Sequence, residues 1–171
     1  MRIFGIDCGS EITGYGIVEC PDGPPRSGQP DLQLVAFGGI RPAKKLTLAE
    51  RLAFVHRELL TQLAAHQPDL VAVEEVFYSV NAKSALKLGH VRGVALLAAA
   101  TAGLPIAEYA PLTIKSTVTG YGLAQKEQVQ FMVARLLAMS EPPEPADAAD
   151  ALAIAICHIH HAQTLLAQNS R

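Results

Sequence analysis

Apolar and polar positions along the 171 residues follow two rhythms, and the order in which these alternate predicts the architecture. Residues 2–7 and Thr13 to Val18 are short apolar runs separated by a glycine-containing turn, and both read as buried strands. Cys20 to Pro30 holds four prolines and two glycines, which predicts an exposed loop. Leu32 to Ile40 follows as a third strand, antiparallel to the second. From Thr47 the period lengthens: Leu48, Leu52, Val55, Leu59 and Leu63 recur at helical spacing. Thr47 and Glu50 have the spacing of a capping box, and Gln67-Pro68-Asp69 stops the helix. Leu70 to Val73 is a buried strand, Asn81 to Ala102 a helix ending at Gly103, and Pro105 to Tyr109 a strand. Lys126 to Met139 and the segment from Asp147 onward are two further helices. The order β-β-β-α-β-α-β-α-α predicts an α/β protein, a mixed five-stranded sheet with helices on both faces, as one domain over residues 1–171.

Composition adds little to this. Half of the residues are apolar, enough for a core without cross-links, and Cys8, Cys20 and Cys157 are too scattered for a disulfide framework. The N-terminal residues do not resemble a signal peptide, and the apolar stretch Val94 to Ala100 is too short to span a bilayer. The protein is therefore expected to be soluble and cytoplasmic. A net charge of -2 does not announce a nucleic-acid partner, although a basic face can coexist with an acidic pocket.

Three placements of acids change the picture. Asp7 closes an apolar strand, where a carboxylate is costly unless it is hydrogen-bonded or binds a cation. The ordinary alternative is a turn-forming Asp beside Gly9. Glu74 repeats the pattern at the end of another apolar strand, where α/β sheets place ligands. Glu75 must face the opposite side of the sheet, so only one of the two joins Asp7, and alternation does not say which. Asp147 and Asp150 share a helix face one turn apart, in a segment otherwise built of Ala, Leu and Ile through Ala155. Helix capping explains one such acid, but burial of both calls for a cation. Four carboxylates from three elements suit two Mg²⁺ ions, and such a pair can serve phosphodiester cleavage. Lys115 and Lys126 flank a Gly120-Tyr121-Gly122 turn and are candidates to grip phosphate. Phe77 and Tyr78, just past Glu74, are candidates to stack on bases. Lys83, Lys87 and Arg92 follow on the next helix, where ordinary surface placement competes. His158, His160 and His161 lack suitably spaced partners for a metal site and are expected at an exposed helix end.

Together these motifs resemble the RuvC family of bacterial Holliday-junction resolvases. Gly5-Ile6-Asp7-Cys8-Gly9-Ser10 with Thr13-Gly14-Tyr15-Gly16 resembles the first family motif, with Cys8 where proline is usual. Val73-Glu74-Glu75-Val76-Phe77, Asn81, Ser84 to Gly89 and Arg92-Gly93 resemble the second block. Gly120 to Val129 and Asp147 to Ala155 resemble the third and fourth. The resemblance implies an RNase H-like fold and selects Glu74 over Glu75. It also implies Asp7, Asp147 and Asp150 as the remaining ligands of two Mg²⁺ ions, with Mn²⁺ as the substitute ion. It places Lys115 and Lys126 near the scissile phosphate, with Lys126 a catalytic candidate. It places Phe77 on the junction's bases; Tyr78, Lys83 and Lys87, by residue type, and Asn81, in the second block, are further candidate DNA contacts. A homodimer, built partly on the Ala85 to Ala100 helix, and a RuvA–RuvB branch-migration partner are implied as well. Rival readings are an actin-like ATPase, an RNA-directed nuclease of the YqgF type, and a junction binder without cleavage. The first needs a second domain for which 171 residues leave little room.

Overall fold

The computed structural model describes residues 1–21, 32–75 and 82–169, with the backbone alone at 82, 83 and 169. β1 (Arg2–Asp7), β2 (Thr13–Glu19) and β3 (Gln33–Ile40) lead into α1 (Leu48–His66) and β4 (Leu70–Glu74). α2 (Ala82–Thr101), β5 (Ile106–Tyr109), α3 (Pro111–Thr119), α4 (Lys126–Leu136) and α5 (Ala146–Asn169) complete the order. The sheet runs β3-β2-β1-β4-β5. β1 pairs antiparallel with β2 and β2 with β3, whereas β1 with β4 and β4 with β5 are parallel. The expected mixed five-stranded sheet is present.

Strand alternation sorts the core into two layers. Phe4, Ile6, Ile17, Val71 and Val73 pack with α1 and α2 on one face. Ile3, Val18 and Ala72 pack with α3, α4 and α5 on the other. Gly5 and Asp7 share the parity of Ile3, and Glu74 shares that of Ala72, so both acids belong to the α5 side. α1 begins as its sequence predicts: the Thr47 hydroxyl accepts from the Glu50 amide, and the Glu50 carboxylate accepts from the Thr47 amide at 2.8 Å.

Glycine sets how closely α5 approaches. A Cβ on Gly5 would lie 2.0 Å from the Ala151 carbonyl oxygen, and one on Gly14 would lie 2.0 Å from that of Asp147. Only bare backbone on β1 and β2, facing the helix backbone at Asp147, Ala148, Ala151 and Ala155, lets the helix lie this close.

One helix, α3, has no counterpart among the elements expected from the sequence. The helix has nine residues and three threonines, and only Ile114 and Val118 are buried, so it offers a single i, i+4 pair in place of a periodic stripe. Pro111 at its start, Gly120 at φ 78° beyond its end, and back-bonds from Thr117 to the Thr113 carbonyl and from Thr119 to the Lys115 carbonyl hold it. The last helix also departs from expectation. It stays buried through Ile159, and His158 is half-buried with its Nδ1 2.8 Å from the Tyr109 hydroxyl, not at an exposed end.

Candidate active site

The catalytic candidates meet where β1, β4 and the start of α5 come together. β1 and β4 are adjacent and parallel, with Ile6 opposite Val73, so the next residues on each strand, Asp7 and Glu74, end neighbouring strands roughly 4.8 Å apart on the same face. Asp7, Glu74, Lys115, Lys126 and Asp150 line one pocket of about 170 Å³, floored by Ile114, Val129 and Ala153. Glu75 is not among its lining residues; its amide instead donates to the Tyr109 carbonyl at 2.8 Å. Asp147 sits one turn before Asp150, its Oδ1 beside Gly9 of the β1–β2 turn.

Electrostatics record the crowding. Asp7 is pushed up to about 7, chiefly by burial and then by the charges of Asp150, Glu74 and Asp147. Glu74 is also raised, by burial first and by Asp150 next, with Lys115 and Lys126 opposing. Burial works against the Lys126 ammonium, but its hydrogen bond to Asp150 and the surrounding acids outweigh that and hold its pKa above the ordinary value. Lys126 Nζ donates to Asp150 Oδ2 at 2.6 Å. Among the described residues no three His, Cys, Asp or Glu side chains stand close enough together to form a ready-made ion cage. The donor chemistry nevertheless fits a hard divalent cation. Four oxygen acids gather at one end of the sheet, and burial and mutual repulsion hold a proton on Asp7 near neutrality.

Neighbouring residues support this arrangement. Arg92, read from sequence as a surface candidate, donates to the Glu74 carbonyl at 3.3 Å and pairs with Glu108, which ties α2 to the ends of β4 and β5. The Tyr109–His158 contact joins β5 to α5 behind the pocket, and nothing in the spacing of those residues announced it. Cys8 is buried among the α1 and α2 core, with its thiol pushed up to about 12 by burial and by Asp7, so it offers no nucleophile.

Not every candidate joins the pocket. Lys87 lines a different cavity, on the α1 and α2 side of the sheet. Phe77, Tyr78 and Asn81 lie outside the described residues, as does the side chain of Lys83.

Known proteins resemble this chain along nearly its whole length. The family model for "Crossover junction endodeoxyribonuclease RuvC" matches residues 3–158. The crossover junction endodeoxyribonuclease RuvC of Acidobacterium capsulatum is 95% identical over 171 residues, covering 100% of both chains. That of Koribacter versatilis is 54% identical, covering 100% of this chain and 99% of the relative. Among solved structures, Thermus thermophilus RuvC superposes with a TM-score of 0.85 at 34% identity, covering 96% of each chain. The same protein in complex with Holliday junction substrate gives 0.84 at 32% identity, again covering 96% of each. The fold is RNase H-like, and the chain belongs to the RuvC family of crossover junction endodeoxyribonucleases.

Proposed function

We propose that this chain resolves Holliday junctions in DNA recombination and repair. It is a structure-selective endonuclease, one nuclease domain per chain, that hydrolyses phosphodiester bonds by paired, symmetric nicks. The observation that carries this reading is the meeting of Asp7, Glu74 and Asp150 with two lysines in one pocket, on a chain of this family.

The family is metal-dependent, and in our reading the ion is Mg²⁺, two per site, with Mn²⁺ able to substitute. Asp7, Glu74, Asp147 and Asp150 would hold them. Held there, such ions would supply Lewis acidity for water activation and for the leaving oxygen. The chain's own side chains do the rest. Lys115 and Lys126 put two ammonium groups on the wall of the acidic pocket, where they can hold the oxygens of the scissile phosphate and offset the charge that gathers as the bond breaks. Ile114, Val129 and Ala153 keep the floor apolar, so these charges act in a weakly screening medium. Arg92 and the glycine-to-helix contacts fix the ends of β4 and α5, and with them the spacing of the acids.

The remaining assignments rest on family membership for Phe77, the dimer and the branch-migration partner, and on residue type for the other DNA contacts. Phe77 meets the bases at the crossover, and Tyr78, Asn81, Lys83 and Lys87 extend the DNA contact beside it. Two copies act together through α2. In support, Leu86 and Leu97 are exposed on that helix, and Cβ atoms built on Gly89 and Gly93 would meet nothing within 4 Å, so the face can accept a second backbone closely. The RuvA–RuvB machine is the expected branch-migration partner and the cytoplasm the expected location. Among the described residues no helix is long and apolar enough to cross a membrane.

The test is a synthetic four-way junction and a matched linear duplex, each incubated with and without Mg²⁺. The wild type nicks the junction symmetrically and only with the ion. Asp7→Asn still binds the junction and does not nick it. Equal nicking by that variant would remove Asp7 from the mechanism.

A further inference from the structure

A second cavity, of about 400 Å³, opens at the catalytic end of the sheet but on its opposite face. Its wall begins at Gly9 and Ser10, two and three residues beyond Asp7, so it adjoins the acidic pocket across the β1–β2 turn. Its floor is apolar, built by Leu52 and Val55 of α1 and Val91 of α2. Three cations line it: Lys44 from the β3–α1 connection, Arg51 from α1 and Lys87 from α2. Among the described residues neither Lys44 nor Lys87 has a carboxylate partner, and Arg51 engages one N–H group, at 2.9 Å from the Ser10 carbonyl. One acid, Glu11, shares the lining. At the inner end lies Thr13, 1% exposed, with a hydroxyl that has no hydrogen-bond partner among the described residues.

An apolar floor, a cationic lining and one unpaired buried hydroxyl match the parts of a nucleotide. The volume falls in the range of roughly 300–1,000 Å³ usual for small-molecule sites. The cations also belong to a larger track. A neighbouring cavity of about 380 Å³ shares Glu11, Pro42, Lys44 and Arg51 with the first and adds Arg41. On a chain whose net charge is only -2, this gathers positive charge beside the acids that would repel a DNA strand.

We propose that this cavity is a second DNA subsite, which takes one unstacked nucleotide of the junction. The base lies on Leu52, Val55 and Val91, the phosphate lies on Lys44, Arg51 and Lys87, and Thr13 gives the base edge a hydrogen-bond partner. The strand it takes runs over the Gly9–Ser10 turn from the acidic pocket, so the subsite sets the register of the cleaved phosphate. The inference rests on the junction-cleaving reading and deepens it.

The test uses four-way junctions carrying 2-aminopurine at successive positions within a few nucleotides of the crossover, bound without divalent ion. One position brightens on binding the wild type, because its base leaves the stack. Leu48→Glu, an exposed position in the first turn of α1 where an acid suits the helix, abolishes that signal by repelling the phosphate. The Lys44→Glu/Lys87→Glu double variant weakens junction binding by about tenfold or more and lowers the slope of log affinity against log salt by about two. Millimolar free dAMP leaves the signal unchanged; displacement would assign the cavity to free nucleotides and overturn the proposal. It is also overturned if no position responds to Leu48→Glu, or if the double variant keeps its affinity and salt slope. Wild-type nicking of the same junctions with Mg²⁺ is read in parallel, so loss of the subsite and loss of the cleavage reading give different results.

Discussion

Asp7→Asn should stabilise the protein when divalent ions are chelated, although it abolishes cleavage. Folding carries the Asp7 carboxyl from an ordinary value of 3.8 to about 7, because burial and three neighbouring acids disfavour its charge. That difference corresponds to about 4 kcal/mol of lost stability once the group is ionised in both states. Between the two values the folded protein binds more protons than the unfolded chain, so wild-type stability falls as pH rises through this window. The penalty is absent below about 3.8 and complete above about 7. Asparagine keeps the shape and discards the charge, and a gain of about 2–4 kcal/mol at pH 8 is expected, since the other acids still repel one another. At roughly 2–4 °C per kcal/mol for a chain of this size, the melting temperature rises by about 4–16 °C. The assay is thermal unfolding of both proteins in EDTA at several pH values from 4.5 to 8. The gain should shrink steadily as pH falls. Added Mg²⁺ should raise the melting temperature of the wild type far more than that of the variant. A variant that melts at or below the wild type at pH 8 in EDTA would refute the reasoning, as would a gain independent of pH.

Three further substitutions probe the scaffold. Gly14→Ala drives a methyl group against the Asp147 carbonyl, so α5 must shift; a loss of about 1–3 kcal/mol in urea titrations and a fall in nicking of up to about a hundredfold are expected. Tyr109→Phe leaves the half-buried His158 without its hydroxyl partner and should cost about 1–2 kcal/mol by the same titration, with junction binding intact. Thr47→Ala removes the cap of α1 and should cost about 1 kcal/mol while nicking proceeds at the wild-type rate; a matching loss of activity would show that α1 couples to the site.

Parity along single strands was legible. Alternation put Asp7 on the face of Ile3 and Gly5, and Glu74 on that of Ala72, but left open which of Glu74 and Glu75 would share the face of Asp7, because that depends on the β1–β4 register. α1 was legible to its cap, because Thr47 and Glu50 act across three residues. α3 was not, since two buried side chains and three threonines give no periodic stripe. Residue type also failed to separate the lysines. Lys115 and Lys126 face the acids while Lys87 lies on the far side of the sheet, a difference that arises from which helix packs on which face.

Local spacing thus determined the strands, most of the helices and the acids at their ends, because side-chain direction repeats every two or 3.6 residues without help from distant chain. Only the tertiary structure decided that β4 would lie beside β1 and that bare glycines would draw α5 onto the sheet. Those choices depend on the joint packing of segments more than sixty residues apart, for which no local pattern carries a signal.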